Sequence, residues 1–245
     1  MGMFDTAVKM EEERDVLGGG VFDSNLYDFE IKLAYITKSK GGAMAVNLTL
    51  ESKGNTLKQI IYISSGDAKG NKFTYIDKKT NEERPLPGYS QINSLCQLAI
   101  GKSLKEIDPE DKVIAVFDTD LKKEVNKTVP VLTELMGNDI TIGILKVIED
   151  KNKLNDATGK YEPTGETREI NEMAKFFKTG SNLTSAEIAS GETEGKFAAK
   201  WLDKNLDTVK NKAKGVPAGS GTTGLPQAST GAAPATTTNL FSKAT

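Results

Sequence analysis

Apolar and polar residues alternate with a period of two along much of the first 85 positions. In YDFEIKLAY, Tyr27, Phe29, Ile31, Leu33 and Tyr35 fall on one side of an extended chain, with Asp28, Glu30 and Lys32 on the other. That is the pattern of a half-buried strand. A Lys-Gly-Gly turn leads into AVNLTLE, where Val46, Leu48 and Leu50 alternate with polar neighbours. Lys-Gly-Asn then turns the chain into KQIIYIS, and the stretch between Gly66 and Gly70 turns it again into NKFTYIDKKTNEER at 71–84. Strands and turns at this spacing predict an antiparallel meander of the kind that builds small barrels.

Beyond residue 85 the period changes. Pro85, Pro87 and Gly88 break the β pattern, and YSQINSLCQLAIG places Ile92, Leu95, Cys96 and Ala99 at i, i+3, i+4 and i+7. An amphipathic helix is expected there, with Tyr89 or Ser90 near its N-cap and Gly101 closing it. KVIAVFDTDLKKEVNKTVPVLTEL predicts a second hairpin and DITIGILKVIED another strand. KNKLNDATGKYEPTGETR is a polar excursion, either a hairpin loop or an extended segment. INEMAKFFK predicts a short helix, and Thr184-Ser-Ala-Glu187 is a capping-box pattern opening another. Phe197, Trp201 and Leu202 share one helical face, continued by Leu206 and Val209, with lysines over most of the remainder.

Together these elements predict a mainly β fold with helical decorations: an OB-fold-like antiparallel barrel plus C-terminal helices and a disordered tail. The expected organisation is a flexible acidic arm at 1–20, a domain at 21–214, and a Gly/Ala/Thr/Pro-rich tail at 215–245 without an acid.

Composition narrows the chemistry. The 245 residues contain no histidine and one cysteine, Cys96. This excludes an internal disulfide, a Cys-rich zinc cluster and the Ser-His or Cys-His nucleophile arrangement. Gly18-Gly19-Gly20 lacks the GK[ST] of a phosphate loop and reads as a spacer. Asp118 and Asp120 in FDTDLKK read as a hairpin turn before a cation site. The expectation is a binding protein that is not an enzyme and holds no metal or cofactor. With neither a long apolar run nor an apolar region near the start, a soluble cytoplasmic protein without a signal peptide is expected.

The net charge of −2 conceals segregation. Residues 1–30 carry two basic and eight acidic side chains, whereas residues 31–84 carry ten and five. Aromatics lie inside the basic stretch. Lys58, Ile60 and Tyr62 alternate against Ile61 and Ile63, and Phe73 and Tyr75 alternate against Thr74 and Ile76. If these two strands pair, one face presents Tyr62, Phe73 and Tyr75, flanked by Lys58, Lys69, Lys72, Lys78, Lys79 and Arg84. Single-stranded nucleic acid needs such a surface, because its bases stack on rings and its phosphates need cations; each stack is worth roughly 1–3 kcal/mol. The alternation leaves open that the rings point into the core.

Several stretches resemble the single-stranded DNA-binding proteins of N4-like tailed bacteriophages: MFDTAVK, LYDFEIKLAYITKS, YISSGDAKGNKFTYIDKKT, LPGYSQINSLC, LTELMGNDITIGILKVIEDKNK, YEPTGETREINEMAKFF and EGKFAAKW. Together they span most of residues 3–205, and YEPTGETREINEM is the most distinctive. The resemblance implies an OB-fold protein of the infected host's cytoplasm that coats single-stranded DNA during phage replication and recombination. It supports binding roles for Tyr62, Lys72, Phe73 and Tyr75. It also implies an alternative role as an adaptor that recruits an RNA polymerase or replication proteins through the C-terminal region. The tail departs from the acidic tails of many single-strand binders, so any recruitment would use Leu240, Phe241 and Lys243.

Overall fold

The computed structural model describes residues 21–118, 121–155 and 157–214. The expectations for the arm at 1–20, the tail with Leu240, Phe241 and Lys243, and Asp120 lie outside the described residues. The fold is mainly antiparallel β with α-helices.

The first three strands of the predicted meander are present, and the fourth, at 71–84, leaves the sheet. Strands β1 (Asn25–Lys38), β2 (Met44–Ser52) and β3 (Asn55–Tyr62) pair antiparallel in chain order. Val46, Leu48 and Leu50 of β2 and Ile61 of β3 point into the main core, as their alternation requires. β1 departs from the sequence expectation. Its register with β2 slips between Ile31 and Leu33, so Lys32 is an extra residue, ion-paired to Glu30 at 2.6 Å and to Glu51 at 3.7 Å. A bulge of this kind bends the strand and inverts the facing of everything beyond it. Phe29 and Ile31 are buried, and the next inward residue is Ala34. Leu33 and Tyr35, expected beside Phe29 and Ile31, instead pack on the opposite side in a separate small cluster.

Helix α1 (Pro87–Ile100) follows, with Pro87 in its first turn and Gly101 closing it in the left-handed conformation at φ 74°. It buries Ile92, Leu95, Cys96 and Leu98 against the meander. Burial pushes the Cys96 thiol up to about 12, so it is an inert core side chain.

The predicted second hairpin comprises β6 (Glu110–Asp118) and β7 (Lys123–Val131), paired from Glu110↔Val131 to Asp118↔Lys123. It joins the main sheet at Tyr35↔Val131 and through Val116, Val129 and Val131, with Ile114, packed on Leu33 and Tyr35 of β1. Before it, β4 (Thr74–Ile76) and β5 (Glu83–Pro85) form a separate two-stranded sheet.

Strand β8 (Asp139–Asn155) starts with the run 140–145, buried on both faces. Ile140, Ile142 and Ile144 enter the main core, whereas Leu145 and Val147 meet helix α3 (Lys196–Asn205) through Ala198 and Trp201. A Cβ on Gly143 would stand 2.9 Å from the Trp201 indole, so the ring lies flat against a strand that must carry glycine. Removing a buried Trp of this kind costs about 3–5 kcal/mol.

Two helical expectations are corrected. INEMAKFFK is not a helix but the end of β9 (Lys160–Phe177), which pairs with β8. Met173 and Phe176 enter the main core and Phe177 the Trp201 cluster, so burial and ladder bonds outweigh the modest helix propensity of Glu-Met-Ala-Lys. The C-terminal helix stops at Asn205, whose buried amide donates to the Trp201 carbonyl at 2.8 Å. Ser24 then captures the chain, accepting from Asp207 N–H at its carbonyl and donating its hydroxyl to the Thr208 carbonyl. Val209 therefore lies in β10 (Val209–Asn211), parallel to β8, and Leu206 is exposed.

The predicted capping box is present at α2 (Ser185–Ala189). Burial opposes ionisation of the Glu187 carboxyl. Hydrogen bonds from the N–H groups of Thr184 (2.9 Å) and Phe197 (2.7 Å) nevertheless hold it below the usual carboxylate range. It thereby ties the start of α2 to the start of α3.

Residues 150–166 and 214 belong to a second compact unit. Within it, Lys151 pairs with Glu166 at 2.9 Å, Asn155 donates to Glu162 at 2.9 Å, and Gly159 turns the chain at φ 65°. The polar excursion is thus the end of a β-ribbon.

The main sheet runs β10–β8–β1–β2–β3, with β9 paired to β8 and the β6–β7 hairpin paired to β1 through β7. β3 and β9 are edges, and no ladder joins them among the described residues, so the sheet is open. No helix among the described residues is long and apolar enough to cross a membrane.

Candidate functional site

The outer face of the meander is a regular grid set by register. Leu33, Thr49 and Lys58 form one row across β1, β2 and β3, followed by Tyr35, Asn47 and Ile60, and then Thr37, Ala45 and Tyr62. Ile60 and Tyr62 are 57% and 56% exposed although they sit on a hydrogen-bonded strand. Asn47 donates its amide to the Thr37 hydroxyl at 2.8 Å, which fixes the polar centre of the grid. Tyr35 is half-buried, and its phenol is raised by burial first and by the nearby Glu124 second, so it presents a neutral ring.

The β6–β7 hairpin stands over this grid and makes it the floor of a cleft of about 970 Å³. Phe117, 59% exposed, lines the wall with Val129 and Lys127. Lys38, Lys40 and Lys58 complete the basic lining, and Asp118 and Glu124 are its acids. Asp118 accepts from Lys127 at 2.7 Å and from Leu121 N–H at 3.0 Å, the partners of a hairpin-turn carboxylate. Among the described residues no group of three His, Cys, Asp or Glu side chains gathers as a metal would require.

Of the residues singled out from the sequence, Lys58 and Tyr62 line this cleft. The others lie elsewhere, because β3 and β4 do not pair: β3 is an edge of the main sheet and β4 pairs only with β5. Phe73 and Tyr75 are 39% and 42% exposed on the β4–β5 hairpin and its approach, so neither is a core residue. Lys69, Lys72, Lys78 and Lys79 are exposed there with no ion-pair partner among the described residues. Arg84 instead pairs with Glu82 at 3.1 Å and Asp77 at 3.5 Å.

The first turn of α1 separates the two regions. A Cβ on Gly88 would overlap the Tyr62 carbonyl oxygen, and the Tyr89 ring sits 5.4 Å from that of Phe73. Glycine at 88 is what allows the helix to start against the end of β3.

Sequence reasoning passed over Tyr35, Phe117 and Lys127. Tyr35 carried no usable signal, because its facing depends on the bulge. Phe117 carried a weak one: VIAVF is apolar at consecutive positions, more than a two-stranded hairpin covered on one side can bury. No family model matches the chain, and no curated protein matches it.

Proposed function

We propose that the protein binds single-stranded DNA without strong sequence preference, in the cleft between the outer face of β1–β3 and the β6–β7 hairpin. Bases stack on Tyr62 and Phe117, with Tyr35 and Ile60 as the floor between them. Lys58 and the other cleft lysines neutralise phosphates there, and Lys69, Lys72, Lys78 and Lys79 do so along the neighbouring hairpin, where Phe73 and Tyr75 offer further rings. The observation that carries this reading is the cleft itself: exposed rings and lysines gathered on one concave surface. Rings exposed to water on a strand paired within a sheet serve packing poorly and stacking well.

The same proposal reads β1, β2, β3, β8 and β9 as the five strands of an OB-type barrel, open along the seam between β3 and β9. Such barrels are partly open, and their second and third strands bind oligonucleotides, which is the face used here. The resemblance to phage single-strand binders points the same way and places the activity in replication and recombination.

Fluorescence anisotropy with a labelled oligo-dT tests the reading. The intact protein binds, and its log K falls with log salt by about 0.7 per phosphate neutralised. Tyr62→Ala weakens binding by about 1–3 kcal/mol without moving the thermal melt. Absence of binding at low salt, or an affinity indifferent to salt, removes the proposal.

A further inference from the structure

We infer that two copies of the chain pair strand to strand along the outer edge of β6, about a two-fold axis through Ala115. This surface stands apart from the DNA reading, and its test contains no DNA.

Among the described residues β6 pairs only with β7, in register from Glu110↔Val131 to Asp118↔Lys123. The far edge of this nine-residue strand therefore presents backbone N–H and C=O groups to no ladder. The edges at β3 and β9 are met by α1. Gly88 lies against the Tyr62 carbonyl of β3, and Gln91 donates its amide to the Met173 carbonyl of β9 at 2.9 Å. β6 has no such cover, and neither a proline nor a register shift interrupts it. Its centre, Val113–Phe117, is five apolar residues in a row. Val113 is 68% exposed, and Ala115 and Phe117 are exposed with it on the same side of the strand. A long, apolar, unblunted edge of this kind is a template for another strand.

Self-complementarity selects a second copy as that strand. A two-fold axis normal to the sheet sets side chains of one face opposite others of the same face, so it passes through a residue. With the axis on Ala115, Lys112 stands opposite Asp118 of the second copy, Val113 opposite Phe117, and Ile114 opposite Val116. Symmetry makes each of these pairs twice. Lys112, 3.0 Å from Glu110 on its own strand, keeps further N–H donors for the second carboxylate. An axis on Ile114 would instead set Glu110 against Asp118 and Asp111 against Phe117. An axis on Val116 would set Asp118 against Ile114 and shorten the ladder. Opposite charges and aromatic–β-branched pairs stabilise a ladder, whereas like charges directly opposite destabilise it. The Ala115 register is the one that satisfies both conditions, and it joins the two hairpins into one ribbon of four strands.

Disulfide scanning in the full chain tests the axis. Residues that face their own copy across an antiparallel ladder have Cα atoms about 4.5–5.5 Å apart, within disulfide reach. Ala115→Cys should therefore link into a dimer when copper phenanthroline is the oxidant. Val113→Cys should not, because its own copy lies roughly 14 Å away along the strand. Val113 is itself well exposed, so chance collisions would link it as readily. Cys96, the one native cysteine, is buried and common to both variants. Equal linking of both variants, or of neither, overturns the inference. Sedimentation equilibrium of the unmodified chain should fit a monomer–dimer exchange. Lys112→Glu should raise its dissociation constant about tenfold, since two attractive pairs become repulsive. A chain that stays monomeric at every concentration, or a dimer indifferent to Lys112→Glu, overturns it as well.

Discussion

The cleft floor and the β4–β5 hairpin hold the same ingredients on different supports. Each carries partly exposed rings and lysines, yet the floor sets them on β1 and β3, joined through β2, beneath a wall. The hairpin holds only Tyr75 on its two strands of three residues each, a sheet of their own, with Phe73 and the lysines in the flanking turn and approach. Isolated two-stranded sheets are marginal, and this one is braced locally by Arg84 with Asp77 and Glu82. Stacking depends on a fixed platform from which water is displaced, whereas phosphate neutralisation depends only on where the charge stands. On the proposed reading the floor holds bases and the hairpin holds backbone. Exposed aromatics alone do not distinguish the two; concavity does.

The largest test of that division is the double variant Tyr62→Ala with Phe117→Ala. Two stacks at roughly 1–3 kcal/mol each predict a loss of about 2–6 kcal/mol in oligo-dT anisotropy, with an unfolding free energy within about 0.5 kcal/mol of the parent. Retained affinity would show that the floor is not the platform. Next comes the junction between the regions. Gly88→Ala forces α1 away from the Tyr62 carbonyl and should lower stability by about 1–3 kcal/mol in urea unfolding. An unchanged midpoint would mean that helix and strand are not rigidly joined there. Replacing Lys72, Lys78 and Lys79 together with Ala should flatten the slope of log K against log salt by about 0.7 for each phosphate no longer neutralised. An undiminished slope would take the hairpin out of the DNA path. Tyr75→Ala should weaken binding by less than about 1 kcal/mol, below one well-made stack. A larger loss would make the hairpin an equal platform. Smallest of all, Arg84→Ala should leave affinity unchanged, since its guanidinium already has two carboxylate partners.

Much of the fold was legible because turns and alternation agree locally. Lys-Gly-Gly and Lys-Gly-Asn delimit β2, and the i, i+3, i+4 apolar spacing with Gly101 marks α1, although its N-cap is Leu86 rather than the expected Tyr89 or Ser90. Thr184 and Glu187, three residues apart, announce the start of α2. INEMAKFFK misled because its residues suit a helix in isolation and a strand only when β8 supplies hydrogen bonds and the core receives Met173 and Phe176. Val209 misled similarly, since a helical face can be extrapolated on paper past the point where Ser24 draws the chain into the sheet.

For the site, local alternation was enough to turn Lys58, Ile60 and Tyr62 away from Ile61, and to place rings within the most basic segment. Those properties follow from the two-residue period of a strand and from composition, and they need no partner. Which rings share a surface was decided only by tertiary structure. One extra residue at Lys32 turns Tyr35 from the core side to the floor, and pairing at Val131 brings Phe117 over it. A bulge and a long-range register leave almost no trace in the pattern of a single strand, because both are properties of two strands together.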